Sequence, residues 1–298
     1  MNSKPNQDSS TNKASKTVDN ENLNRKTHRA HQGRVELKHW QPDPQWFHPM
    51  VCSSVANLSR LLLGKLNTIQ FEGRERWDKL FGPAGESWER EDGRGLLSFS
   101  NHVSLFDDPL LISNLGATQY AHVRWIAADH INFFDNRLKG LIYSAGKCVP
   151  IIRGGGLNQP GFDFLVERLK KGEWVHIFPE GGRSREKDHR LQLPLKIGIG
   201  KLIFEANPVL MPFYHYGMQN ILPIGAKVPK TKKTIKVLFG EACTVNQAWW
   251  QARLSQINSE TELQVKAQEA WQSATKWVED QLLMLEKKVH PYAQESSD

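Results

Sequence analysis

Cysteine is scarce in this chain: only Cys52, Cys148 and Cys243 occur in 298 residues, far apart and odd in number. That spacing excludes a disulfide framework and offers no metal-ligand motif, so a reducing compartment with free core thiols is expected. Long apolar runs are missing too, and no stretch reaches the ~18 to 20 uninterrupted apolar residues of a membrane span. The first residues lack the apolar core of a secretion signal, and their basic side chains are mixed with Asp8, Asp19 and Glu21, unlike an organelle presequence. A Walker glycine loop, a dinucleotide fingerprint and a Gly-x-Ser-x-Gly turn are all absent, which removes the commonest nucleotide and serine-hydrolase readings. No internal repeat is visible. What remains is a soluble or membrane-peripheral protein.

Positive charge is in excess but unevenly placed. The net charge is +7, and residues 1–39 hold eight Lys or Arg against four Asp or Glu, so +4 lies there. The excess is thus weak evidence for nucleic acid and fits an anionic membrane surface at least as well. The same 39 residues are polar and almost free of large apolar side chains, so they cannot bury enough surface to offset ordering entropy and read as a disordered tail. Residues 40–298 read as one domain.

Trp40 to Met50 is an irregular segment with three prolines and two tryptophans. A helix follows over 51–69, where Val51, Val55, Leu58, Leu62, Leu66 and Ile69 step by three and four with Ser53, Asn57, Arg60 and Asn67 opposite. It either packs on the domain or lies in a bilayer surface with Trp40 and Trp46 as belt residues, making 40–70 a candidate interfacial segment. Beyond a polar connection, strand patterns at Leu96–Phe99, Val123–Ala127, Cys148–Ile152, Trp174–Phe178, Leu210–Tyr214 and Ile235–Phe239 alternate with helical ones near 109–115, 133–143, 162–171 and 196–206. That alternation predicts an α/β fold, a central mixed sheet flanked by helices, with an N-terminal amphipathic helix and a C-terminal helical extension over 244–290. In the extension, Thr244–Ile257 and Ser259–Lys288 are helical, the second opened by the capping-box spelling Ser259-Glu260-Thr261-Glu262.

One stretch carries chemistry: Ser100-Asn101-His102-Val103-Ser104-Leu105-Phe106-Asp107-Asp108-Pro109. His102 follows the strand Leu96–Phe99 and precedes a short helix with Asp108 as N-cap, Pro109 at its first position and Gly116 beyond its end. Such strand-to-helix turns are where open α/β sheets place their sites. Fully extended, the five residues from His102 to Asp107 span roughly 17 Å, so only a tight turn joins carboxylate to imidazole. Joined, they form half of a triad: Asp107 fixes the imidazole and stabilises it once it takes a proton from a bound hydroxyl. The alternative is a surface histidine beside a helix cap. Phe178-Pro179-Glu180-Gly181-Gly182-Arg183-Ser184 leaves another strand through glycines that let backbone amides approach a ligand. Arg183 there, and Arg153 after Ile152, could hold a phosphate through their planar forks, or could be plain surface residues. His176 and Glu180 share a strand face, but no short metal-ligand motif supports a metal site. The loop from Lys227 through Lys236 carries five lysines and no acid, either a solvated loop or a lipid-headgroup contact.

Taken in order, Asn101-His102 with Asp107-Asp108-Pro109, Gly146-Lys147-Cys148-Val149-Pro150, Arg153, Trp174-Val175-His176-Ile177-Phe178-Pro179-Glu180-Gly181, Leu195-Lys196-Ile197-Gly198-Ile199-Gly200 and Val209-Leu210-Met211-Pro212 resemble the glycerolipid acyltransferases that carry a histidine–four-residues–aspartate motif. Within that superfamily the pattern is most similar to the tafazzin branch, over about residues 95–240. The resemblance implies acyl transfer onto the free glycerol hydroxyl of a lysophospholipid, with His102 as general base, Asp107 as its partner, and Arg153, Glu180, Gly181 and Arg183 on the glycerol-phosphate part of the acceptor. It implies no cofactor: acyl-CoA, acyl carrier protein or another phospholipid is the donor substrate. At Gly182-Arg183-Ser184 the chain departs from the tafazzins, which have lysine and a hydrophobic residue there, and is similar to the acylglycerol-phosphate acyltransferases, so lysophosphatidic acid joins the candidate acceptors. Peripheral attachment to a membrane facing a reducing compartment is expected. The competing class is a non-catalytic lipid-surface module on the same fold.

Overall fold

The computed structural model describes residues 37–43, 45–81, 92–115, 120–245 and 260–290, with side chains for all of these except Lys38 and residues 260–264. The polar tail expected over 1–39 lies outside them apart from the short turn Leu37–His39, as do most of the first C-terminal helix, Gly116 and Ser259.

Eight strands form one sheet: β1 (Thr68–Glu72), β2 (Leu96–Phe99), β3 (Trp125–Asp129), β4 (Cys148–Ile151), β5 (Trp174–Ile177), β6 (Val209–Tyr216), β7 (Thr234–Phe239) and β8 (Cys243–Thr244). Their spatial order is β1-β7-β6-β2-β5-β3-β4, with β8 also on β6. The strands β4, β3, β5, β2 and β6 run parallel, while β7 and β8 return antiparallel to β6 and β1 runs parallel to β7. The sheet is therefore mixed, and all its central strands deliver their C-terminal ends to one edge.

Helices cover both faces because neighbouring strand residues point to opposite sides. Leu96, Trp174, Val209, Met211 and Phe213 face one core with Trp77, Phe81, Leu110 and Leu111; Leu97, Phe99, Val175, Ile177 and Leu210 face another with Leu165, Ile199, Leu202 and Val278. The first core is closed by the turn Arg60–Lys65 and α2 (Arg74–Phe81); α1 (His48–Ser59) packs on the turn Asp107–Ile112, and α3 (Arg137–Ala145) packs beside α1. The second is closed by α4 (Pro160–Lys170), α5 (Gly198–Ala206) and α6 (Glu260–Val289). Glycine sets how closely α5 and α6 approach: a Cβ on Gly200 would lie 2.0 Å from the Trp271 carbonyl oxygen.

Two expectations about the N-terminal segment change. The helix ends earlier and passes into a π-helical turn, Arg60–Lys65, before β1 takes up Ile69. The inward face also differs from the expected stripe: within the regular helix Ser59 is buried and Leu58 exposed, and past the π turn, which adds a residue, Leu63 and Asn67 are buried while Leu66 is exposed. Trp40 is no belt residue either: its indole Nε1 donates to the Cys148 carbonyl at 3.1 Å and its ring meets Phe164 edge-on. Trp46, at 83% exposure, does face solvent. Among the described residues no helix is long and apolar enough to cross a membrane.

Candidate active site

His102 leaves β2 at the edge where the parallel strands end. Its predecessor Asn101 stitches the departing chain to β6 in place of strand pairing: Nδ2 donates to the His215 carbonyl at 2.9 Å and Oδ1 accepts the His215 amide at 2.9 Å. The chain then folds back within five residues. Asp107 is fully buried, and its Oδ2 accepts from the Val103 amide at 2.7 Å and the Ser104 amide at 2.8 Å. The same oxygen lies 2.9 Å from His102 Nδ1. An ionised carboxylate only accepts, so Nδ1 carries the proton and donates it, leaving Nε2 as the nitrogen with a free lone pair.

Asp107 is poised as an anion. Burial pushes its carboxyl upward, but the nearby His215, the hydrogen bond and charge of His102 and the Ser104 amide outweigh burial, and its pKa falls below the ordinary aspartate value. His215 approaches Asp107 Oδ2 at 3.8 Å through Nε2, which also bonds the Asn101 carbonyl at 3.0 Å. Burial lowers the His215 pKa, so it stays neutral at pH 7. The His102 ring stacks on Phe178, centroids 4.2 Å apart and planes 13° off parallel, and 18% of its side chain remains exposed. With a carboxylate on one side and an aromatic ring on the other, the imidazole is held in one orientation, a geometry that can accept a proton at Nε2.

Asp108 plays a different part from the helix cap expected of it. The turn begins with Asp107–Ile112 in π-helical form, and Asp108 lies inside it, paired with Arg124 through both carboxylate oxygens. Arg124 Nη1 further donates to the Gly146 carbonyl at 2.8 Å, so this pair ties the turn to the start of β4.

Glu180 lies within this wiring. It is 3% exposed, and its Oε1 accepts the His102 amide at 2.5 Å while Oε2 accepts the Gln192 amide at 2.8 Å. Burial pushes its carboxyl up to about 8, against the pull of those two amides. The acceptor contact expected of Glu180 therefore meets a carboxyl group already engaged on both oxygens with backbone. Gly181 donates its amide to the Phe178 carbonyl at 3.0 Å, and its φ of +71° suits glycine. A side chain at Gly181 would also strike Lys196, whose Cγ lies 2.9 Å from the Cβ position. Further along, the Ser184 amide donates to the His102 carbonyl at 2.7 Å, which seats Arg183 beside the histidine loop.

The arginines are held loosely. Arg153 follows β4, is 55% exposed, and has Asp129 Oδ2 at 3.6 Å. Its guanidinium lies 3.7 Å from where a Gly182 Cβ would be, so Arg153 reaches across to the Glu180–Arg183 loop. Arg183 is half-buried and has no ion pair or hydrogen bond with a described residue. His176 belongs to the core: Nδ1 bonds Ser98 Oγ at 2.8 Å, and burial holds its pKa well below the usual histidine value. Cys148 is buried too, its thiol pushed up to about 12 by burial, and it is not a nucleophile at neutral pH.

Several contributors were not visible as site residues in the sequence: Asn101, Phe178, His215, Gln192 and Glu286. Glu286, on α6, accepts the Leu191 amide at 2.6 Å and the Tyr214 hydroxyl at 2.9 Å, and so holds the residue beside Gln192. Asn101 and Phe178 stand inside motif stretches the sequence singled out, though with no role attached, while His215, Gln192 and Glu286 stand in none.

Residues 69–216 match the family model described as Acyltransferase. Tafazzin of Drosophila melanogaster is 33% identical over 213 residues, 69% of this chain and 54% of that protein. Taffazin of Dictyostelium discoideum is 32% identical over 197 residues, 63% of this chain and 66% of that one. The N-acylphosphatidylethanolamine synthase of Arabidopsis thaliana is 34% identical over 163 residues, 51% of this chain and 57% of its own. The chain thus spans from about half to just under two thirds of the length of these curated relatives.

Proposed function

The chain belongs to the acyltransferase family, in its tafazzin-like glycerolipid branch, and from that premise we propose that it moves a fatty acyl group onto the free glycerol hydroxyl of a lysophospholipid at a membrane surface. The observation that carries this reading is the 2.9 Å contact from His102 Nδ1 to a buried, anionic Asp107, with His102 Nε2 turned to the open side.

The acceptor hydroxyl gives its proton to Nε2 as its oxygen bonds to the donor's carbonyl carbon. Asp107 stabilises the imidazolium that results. The tetrahedral adduct then collapses: the carbon–sulfur or carbon–oxygen bond to the leaving group breaks, and Nε2 returns the proton to that group. No free serine or cysteine nucleophile is required, because the substrate brings its own hydroxyl. Arg153 and Arg183 bind the acceptor phosphate. Glu180 acts by fixing the His102 backbone, and the open glycine turn beside it admits the glycerol end.

Membrane contact is assigned to the N-terminal segment, where Trp46, Met50, Leu58, Leu61 and Leu66 are exposed. Deleting residues 1–70 should weaken liposome binding; a folded remainder that binds as tightly as the full chain would refute the assignment. Similarity to an N-acylphosphatidylethanolamine synthase supports a second acceptor, a headgroup amine deprotonated by the same His102. The assay that tests all of this is incubation of the purified chain with radiolabelled lysophospholipid, lysophosphatidic acid or phosphatidylethanolamine, each with acyl-CoA or a diacyl phospholipid as donor. A radiolabelled product with one more acyl chain supports transfer, and its identity names the acceptor. Lipid binding without any product would leave the non-catalytic module instead.

A further inference from the structure

The catalytic reading uses neither the loop from Leu222 to Thr234 nor its lysines. The topology puts this loop at the edge where His102 emerges. Phe99 at the end of β2 pairs with Pro212, and β6 continues to Tyr216; β7 returns with Lys236 opposite Tyr216. The loop between them therefore hangs from the C-terminal edge of the parallel strands. It is also fastened to the end of the N-terminal helical segment. The Lys232 amide donates to the Leu66 carbonyl at 2.8 Å, the Thr68 amide to the Lys233 carbonyl at 2.9 Å, and the Lys233 amide to Asn67 Oδ1 at 2.9 Å.

Two kinds of side chain project from it and from the first residues of β7, where Lys236 stands. Lys227, Lys230, Lys232, Lys233 and Lys236 have no acid among them in sequence, and none of their ammonium groups has an ion pair or hydrogen bond with a described residue. Ile224, just before the first of them, is 56% exposed, and Val228, between Lys227 and Lys230, is 73% exposed. Leu61 and Leu66 on the adjoining segment, and Leu105 three residues past His102, are exposed as well. Single exposed aliphatics are ordinary on a protein surface, but here Ile224 and Val228 stand on a lysine-rich loop hydrogen-bonded to the segment that also exposes Leu61 and Leu66. A protein interface is ordinarily depleted in lysine. Nucleic acid would reward the cations and leave the aliphatics in water. An anionic bilayer accommodates both, because the tips enter the acyl boundary while ammonium groups meet lipid phosphates.

We propose that the sheet edge carrying His102 docks on an anionic phospholipid surface, with the Lys227–Lys236 loop as its charge-reading contact and Ile224 and Val228 as its inserted tips. This rests on the membrane reading above and deepens it, adding lipid charge as a determinant of where the enzyme works.

The test is flotation of the full chain with vesicles of phosphatidylcholine alone and of phosphatidylcholine with phosphatidylglycerol, for the wild type and for a Lys227→Gln, Lys230→Gln, Lys236→Gln variant. The wild type should prefer the anionic vesicles and lose that preference at high salt. The variant should bind them about 10- to 100-fold more weakly, given the usual contribution of each surface lysine, with binding to neutral vesicles unchanged. An Ile224→Ser, Val228→Ser variant should weaken binding to both vesicle types. Turnover on lysophospholipid in neutral detergent micelles should stay at the wild-type rate in the lysine variant. Equal wild-type binding to both vesicles, an unaffected lysine variant, or equally tight retention of a DNA duplex would overturn the proposal. Absence of micellar turnover in the wild type would instead refute acyl transfer and leave the flotation result to stand by itself.

Discussion

Two regions of the same sheet edge hold their charges in opposite ways. Around His102 the polar groups are interlocked: Asp107 binds the imidazole and two amides, Glu180 binds the His102 and Gln192 amides, and Asn101 is clipped to β6. Around Arg153 and Arg183 almost nothing is engaged, with Asp129 3.6 Å from Arg153 and no described partner for Arg183. A group that accepts a proton at a fixed point gains from being immobilised, since small displacements there are expensive in rate. A group that captures a phosphate needs donors that are still unoccupied when the ligand arrives. The two regions therefore differ in when they are completed. Under the proposed function, the proton acceptor would be built before the substrate binds, and the phosphate site would be finished by the substrate itself.

Removing the fixed proton acceptor should give the largest effect. His102→Ala should lower kcat by at least ~10² to 10⁴, with circular dichroism, thermal midpoint and vesicle binding little changed, because the ring packs mainly on Phe178 at a partly open position. Next comes the framework beneath the turn. Asp108→Asn leaves the buried Arg124 guanidinium without its anion and should cost about 3 kcal/mol in denaturant unfolding. The loosely held side should respond in binding instead. Arg153→Ala and Arg183→Ala should each raise the acceptor KM by an amount equivalent to roughly 1.5 to 3 kcal/mol, leaving kcat within a few-fold. Unchanged acceptor kinetics in both would return them to ordinary surface residues and dissolve the comparison.

A pH dependence sharpens the interlocked side further. Glu180 has its carboxyl raised to about 8 in the fold, above the ordinary glutamate value. A carboxyl raised on folding contributes stability that is present below the unfolded pKa and lost as pH rises through the folded one. Unfolding free energy should therefore decline between the ordinary glutamate range and about pH 8, and Glu180→Gln should remove that part of the slope. Denaturant titrations across this range, with the same slope in both proteins, would show that Glu180 does not titrate there.

Much of the fold is legible in the sequence because buried parallel strands are continuous apolar runs. Leu96–Phe99, Cys148–Ile151 and Trp174–Ile177 sit within a residue of where hydrophobicity puts them. The elements that escape such a reading have the opposite character. β1 is an edge strand, largely exposed, and α2 buries only Trp77 and Phe81 among five charged residues, so neither shows a clear apolar pattern. Periodicity places the inward face by apolar character, whereas the helix buries Ser59 and exposes Leu58, and beyond it the π turn Arg60–Lys65 breaks the constant pitch that periodicity assumes. At the site, the sequence names His102 and Asp107 as partners because only a turn joins them. It cannot show that Glu180 faces backbone amides, nor that His215 and Glu286, more than a hundred residues away, close the same network.

The central claim is that His102 and Asp107 work as a single unit, and a double-mutant cycle in kcat tests it most directly. Asp107→Asn keeps the size of the buried group but cannot stabilise an imidazolium, so it should fall steeply. The double variant should then be little slower than His102→Ala alone, since groups that act together are not additive. Losses that multiply, or a folded His102→Ala protein that still transfers acyl groups at near the wild-type rate, would contradict the account.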